Sequence, residues 1–239
     1  MLSKDKMTHP KLDEPRTVRV KFRKVGNLQY ISHLDLQRTV SRVLVRAGIP
    51  MWYTQGFNPH AKIVFGLPLS VGAESECEYL DLRIDRDMSC DEIMARLNAV
   101  LTSELCVLDA YVAPKSVFAD IVWAEYDIRI RTEGLTQSLV DEMQAYLTTS
   151  PLMMDKKSKS GIRQVDITTL IRSLNAYVEA GELHIDAVLC VSGADYLNPE
   201  YLITALRERF GILPEGDIHG EYSILRTNVY LADGEAEFK

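Results

Sequence analysis

Two short segments gather the side chains most capable of chemistry in this chain. Residues 29–38 read Q-Y-I-S-H-L-D-L-Q-R, and residues 54–62 read T-Q-G-F-N-P-H-A-K. The candidates for catalysis are His33 and Asp35 in the first and His60 in the second. Two imidazoles can divide the acid and base roles in attack on a phosphodiester, provided the fold brings them together. His33 falls in the first turn of an expected helix, where unpaired backbone N–H groups make an anion site. Tyr30, Ser32, Gln55, Gly56, Phe57 and Asn58 surround the three as a loop cluster. His33 and Asp35 also have a plain structural reading, as a surface residue and a capping carboxylate of that first turn.

The cations are unevenly spread. The chain of 239 residues carries 27 Lys and Arg against 34 Asp and Glu, a formal net charge of −7. Yet Arg16, Arg19, Lys21, Arg23, Lys24, Arg38, Arg42, Arg46 and Lys62 face a single acid, Asp35, between residues 16 and 62. Cations without local acids suit a polyanion, because each neutralised phosphate releases counterions. The candidate nucleic-acid contacts are Arg19, Lys21 and Arg23 on a strand, Arg38, Arg42 and Arg46 on a helix, Lys62, and Lys156, Lys157, Lys159 and Arg163 on a hairpin. Aromatic residues interleave with them, as in surfaces that stack unpaired bases. A solvated charged face is the plainer alternative.

The elements that must position these groups follow from periodicity. Residues 17–23, T-V-R-V-K-F-R, alternate strictly, so Val18, Val20 and Phe22 face a core while the cations face outward. Ser32-His33-Leu34-Asp35 opens a helix as a capping box. That helix buries Leu36, Val40, Val43, Leu44 and Ala47, and Gly48 and Pro50 end it. Short strands at 51–53 and 62–65, a strand at 77–84, a helix from the Ser89 cap to about 101 and a strand at 107–112 complete a βα(β)ββαβ order, that of a ferredoxin-like sandwich.

The second half follows the same plan without a clear sequence repeat. It offers a strand at 121–131, a helix at 136–147, hairpins at 152–167 and 173–191, a helix from 198 or 199 to 210, and a strand at 221–231. The expected class is α+β: two ferredoxin-like halves with antiparallel sheets, at 17–115 and 120–232, between an arm (1–16) and a tail (233–239). One continuous sheet is the alternative architecture. If the 51–53 and 62–65 strands form the central hairpin of the first half, His60 reaches the sheet end where His33 starts its helix. If 62–65 pairs instead with 77–84, the loop bearing Glu74 and Glu76 meets His33, and His60 goes to the other end.

The composition sets bounds. No run approaches the roughly 18 apolar residues of a membrane helix, and the charged N-terminus is unlike a secretory leader, so a soluble cytoplasmic protein is expected. Cys77, Cys90, Cys106 and Cys190 lie far apart with no C-x-x-C spacing, which suits free thiols. They offer neither a metal site nor the cysteine cluster of an iron–sulfur centre.

The same segments carry a resemblance. V-K-F-R-K-V-G-N-L-Q-Y-I-S-H-L-D-L-Q-R, G-I-P and the run from Y-T-Q-G-F-N-P-H-A-K to G-A-E-S-E-C-E-Y-L-D resemble the radical SAM-linked family, bacterial domain of unknown function 2344. The likeness spans residues 17–85, and G-I-R-Q-V-D-I at 161–167 fits its second part. The family's S-H-L-D maps onto Ser32, His33, Leu34 and Asp35, and its G-F-N-P-H onto Gly56, Phe57, Asn58, Pro59 and His60. The resemblance implies a radical SAM partner, encoded beside or fused to such proteins and often near genes for a ribonuclease and ribosomal proteins. It carries over no catalytic residue. The reading that joins these signals is an accessory protein that binds tRNA or rRNA and works with that partner. The iron–sulfur cluster and S-adenosylmethionine would then sit in the partner, and this chain would hold no cofactor. A metal-independent nuclease using His33 and His60 and a protein-only adaptor are the alternatives.

Overall fold

The computed structural model describes residues 9–149, 151–158, 161–213 and 221–239. The chain divides into two compact units, residues 1–118 with Lys239, and residues 119–238. Each combines antiparallel strand pairs with two helices, the α+β class expected.

In the first unit the order is β1 (Lys11–Lys24), α1 (His33–Arg46), β2 (Ile63–Phe65), β3 (Ala73–Arg86), α2 (Cys90–Asn98) and β4 (Leu105–Val112). β1 pairs with β4 on one side and β3 on the other, and β2 pairs with β3. This is the 4-1-3-2 order of a ferredoxin-like sheet. Val18, Val20 and Phe22 of β1 pack with Leu36, Val40 and Leu44 of α1 and Ile93 and Leu97 of α2. Two amphipathic stripes thus cover one face of the sheet. Val43 is only partly buried against this core.

Local chemistry explains the boundaries. Gly26, at φ +63°, turns the chain after β1, and a Cβ there would meet the Glu104 carboxylate. Ser32 caps α1, its Oγ accepting from the Asp35 N–H at 3.1 Å. The Asp35 carboxylate accepts from the Ser32 hydroxyl and Arg38. Glutamate is the usual partner that reaches back to the cap N–H, and aspartate is one methylene shorter. Ser89 caps α2 in the same way. That helix stops at Asn98, short of residue 101, and the Asn98 amide bonds both the N–H and the carbonyl of Val107.

The segment expected as a strand at 51–53 forms only two isolated bridges, Met51 to Ile84 and Tyr53 to Ala61. The expected arm joins the sheet from Lys11, which pairs with Arg86. A register shift lies between Lys11 and Arg16, around Pro15, which has no N–H to donate.

The second unit repeats the order with β5 (Trp123–Arg131), α3 (Gln137–Thr148), β8 (Ile171–Glu179), β9 (Glu182–Cys190), α4 (Glu200–Phe210) and β10 (Glu221–Tyr230). Its strands run β10-β5-β9-β8. A separate hairpin of β6 (Met153–Ser158) and β7 (Gly161–Asp166) is inserted between α3 and β8. Thr136 caps α3, and Ala180 and Gly181, both at positive φ, turn β8 into β9. The expected tail is tied in as well. Tyr230 bridges to Glu237, and Phe238 is fully buried.

Ser32→Ala should lower stability by about 1 kcal/mol in a urea titration, because it removes the acceptor for an N–H of the first turn of α1.

Candidate nucleic-acid interface

β1 lies between two strands, so its alternating side chains serve opposite faces. Val18, Val20 and Phe22 take the helix face, which leaves Arg19, Lys21 and Arg23 on the other. Arg38, Arg42 and Arg46 are exposed on α1. The strand and helix cations therefore lie on opposite sides of the sheet, and the expected single basic surface divides into two.

The strand half is largely occupied. Arg19 is 1% exposed rather than outward-facing. Its Nε and Nη2 donate to the two Asp81 carboxylate oxygens at 2.8 and 3.0 Å. Its Nη groups also donate to the Ser116 hydroxyl and carbonyl and to the Lys239 main-chain oxygen. The Phe118 ring lies 4.6 Å from the guanidinium carbon. Asp81 stands opposite Arg19 in the β1–β3 register, so the strand that buries the cation also supplies its counterion. Arg23 donates twice to the Ser103 carbonyl. Lys21 lies 5.9 Å from the Tyr79 ring centroid. Lys24 is buried, its Nζ donating to the Leu28 and Ala73 carbonyls.

The helix half is open. Arg38 pairs with Asp35 at 3.2 Å, both well exposed. Arg42 and Arg46 are exposed and make no ion pair or side-chain hydrogen bond among the described residues. Lys62 is exposed, and its backbone joins Trp52 to Arg83. Of the hairpin cations, Lys156 and Arg163 stand directly opposite each other, and Arg163 is exposed. Lys157 belongs to β6 by its backbone, and Lys159 lies outside the described residues.

The three catalytic candidates do not converge. Pairing of β2 with β3 realises the second arrangement, although Glu74 and Glu76 lie on β3 itself rather than on the loop: the 66–72 loop meets the segment before α1, where Gly72 N–H donates to the Gln29 carbonyl. The Gly26 N–H donates to Glu74 in the same place. There the His33 ring stands edge-on to Phe65, centroids 5.3 Å apart, and its Nε2 is 2.9 Å from the Gln37 amide nitrogen. His60 is five residues before Phe65, about 17 Å along extended chain. Its Nδ1 contacts the Thr54 hydroxyl at 3.1 Å. Asp35 has the role of a cap partner. The Ser32 hydroxyl, and after it Arg38, hold its carboxyl below the usual range.

The loop cluster is likewise split: Tyr30 and Ser32 lie at the His33 end, Gln55, Gly56, Phe57 and Asn58 at the other. α1 runs from the first end to the second, since the Pro50 carbonyl accepts from Asp85 N–H and Met51 bridges Ile84. Arg46, Lys62 and the 54–60 loop therefore share one end of the unit. Arg83, absent from the sequence-derived set, belongs with them, its guanidinium carbon 5.0 Å from the Trp52 ring centroid. The alternation of Tyr79, Asp81 and Arg83 was the signal for it. Beneath α1, a cavity of about 30 Å³ is lined by Val20, Phe22, Val43, Leu97 and other apolar side chains, and offers no polar group for chemistry. Among the described residues no group of three or more His, Cys, Asp or Glu is placed to hold a metal. No helix among them is long and apolar enough to cross a membrane.

These features define an α+β protein of two ferredoxin-like units, the first bearing an open cationic helix. Residues 17–199 match the family described as an uncharacterized protein conserved in bacteria, DUF2344, and the chain belongs to it. No curated protein matches the chain. Among solved structures, it is similar to a chain of a Cbf5-Nop10-Gar1 complex at 7% identity and a TM-score of 0.46, covering 89% of this chain and 48% of that one. This protein thus spans about half the length of that chain. An unknown protein from Galdieria sulphuraria is similar at 12% identity and a TM-score of 0.26, with 89% and 99% covered. Neither likeness bears on function.

Two outcomes are expected. Arg19→Ala should destabilise the protein by about 3 kcal/mol or more in chemical denaturation, since it strands Asp81 and the Ser116 acceptors. Asp35 should titrate below its usual value of 3.8 in a carboxyl NMR titration. With the folded value depressed, its contribution to stability is present above the ordinary carboxylate range and is lost as pH falls through the folded value. Asp35→Asn should remove that part of the acid limb.

Proposed function

We propose that this protein is an accessory RNA-binding protein, acting on tRNA or rRNA together with a radical SAM partner that carries the iron–sulfur cluster and S-adenosylmethionine. The observation that carries the RNA part is the pair Arg42 and Arg46, exposed on α1 and without an acidic partner among the described residues. Spaced four residues apart, they repeat about every 6 Å along the helix axis. Lys62 lies at the Arg46 end of the unit, on the other face of the sheet. The resemblance in the 17–85 and 161–167 segments supports the radical SAM part.

This reading is favoured over a nuclease. Acid–base cleavage by two histidines requires both within hydrogen-bond reach of one phosphate, and His33 and His60 stand at opposite ends of β2. The strand cations take little part, because Arg19 is spent on Asp81 and Arg23 on Ser103.

The test is RNA binding by the full chain across a salt series, alongside capture of partners from the native organism. Affinity should fall with salt, by about 0.7 in the log–log slope for each cation contacting a single strand and about 0.9 on a duplex. Arg42→Glu should weaken binding to all sequences, flatten that slope and leave the melting temperature nearly unchanged, since an exposed helical Arg adds only a few tenths of a kcal/mol. An affinity indifferent to both salt and Arg42→Glu would overturn backbone binding through α1. Capture of an acidic protein with no RNA would favour the adaptor.

A further inference from the structure

We infer that the 54–60 loop is a nucleobase-stacking site, with Phe57 as its platform and an unpaired base of single-stranded RNA as its ligand. The inference deepens the RNA-binding reading of this end of the first unit and rests on it.

Phe57 is 112% exposed, the most exposed large apolar side chain among the described residues. It is nevertheless held in place, because both ends of its loop are clamped. Tyr53 bridges Ala61, Thr54 N–H donates to the His60 carbonyl at 2.9 Å, and His60 N–H donates to the Thr54 hydroxyl oxygen at 3.2 Å. Below the clamp, Trp52 N–H donates to Arg83 and Lys62 N–H to Trp52, tying the stem to β3. Gly56, at φ +142°, lets the chain turn just before the ring. A phenyl group presented in water on a fixed stem forgoes its burial until a flat apolar surface covers it.

The surroundings select a base over a protein pocket. An aromatic at the centre of a protein interface sits among apolar neighbours, in a region depleted of charge. Along the loop Phe57 is flanked by exposed Gln55, Asn58, Pro59 and His60, with Tyr53 and Lys62 exposed on the stem. Every base offers a π-face to stack on, and the Gln55 and Asn58 amides carry the donors and acceptors that base edges match. Lys62, exposed on the stem of the loop, supplies a cation for the phosphate next to the stacked base.

The test compares two labelled oligonucleotides of equal length and charge, oligouridine and the same strand made abasic, against the full chain. The wild-type protein should bind oligouridine more tightly. Phe57→Ala should bring that affinity down to the abasic level, a loss of between about fivefold and a hundredfold, with the salt slope unchanged. Phe57→Tyr should restore it. The side chain is wholly exposed, so an unchanged melting temperature certifies the variants. Equal wild-type affinity for both strands would overturn stacking and leave backbone binding intact, whereas binding of neither would overturn both. Unchanged oligouridine affinity in Phe57→Ala, with capture of a protein partner lost, would overturn stacking in favour of protein docking.

Discussion

A central strand has two faces and one alternation, and the first unit is arranged around that constraint. β1 must give Val18, Val20 and Phe22 to the helices, so each cation between them is committed to the opposite face. At Arg19 that face is covered, and burying a guanidinium costs several kcal/mol unless its donors are met. They are met by Asp81 from the neighbouring strand, by Ser116, and by the Lys239 main-chain oxygen. A residue that reads as surface charge is thus the point where strand pairing, the 116–118 segment and residue 239 meet. Its charge is fully used within the fold.

Where a pattern is local, the sequence was legible. The stripe of α1, the caps Ser32 and Ser89, and the 173–191 hairpin all depend on neighbours within a few residues, and all are found. Where the outcome depends on distant partners, it was not. β2 has three residues, too few to declare a partner, and both neighbours offered by the sequence were plausible. The resolution lies in β3, which binds β2 directly and receives Met51 as an isolated bridge. Arg19 faced the same difficulty, since Asp81 is 62 residues away. The residues expected to be an arm and a tail read as polar ends, and tertiary pairing overrode that composition.

For the candidate site, the residue types were legible and their grouping was not. Alternation along β1 and periodicity along α1 each give a correct cationic face, yet only the sheet's position between them shows that the two faces look away from each other. Likewise the two histidines share a motif-rich region but are separated by the length of β2. Arg46, Lys62, Arg83 and the Phe57 loop are brought to one end by the direction of α1 and by the pinning of Met51 to Ile84. Topology assembled the group, and only Arg83 left a readable trace in the strand alternation.

An acidic protein is not thereby a poor polyanion binder. At physiological salt, exposed charges more than about 8 Å apart are largely screened, so a ligand responds to the local stripe more than to the net −7. Arg42 is about 10 Å along the helix axis from Asp35, and Arg46 about 16 Å, so the one acid of this helix compensates Arg38 alone. The remaining arginines stand four residues apart, a like-charge spacing that destabilises a helix by a few tenths of a kcal/mol. An anion lying along α1 relieves that repulsion and gains both charges. The spacing therefore favours an extended ligand with regularly repeated negative charge over a single ion.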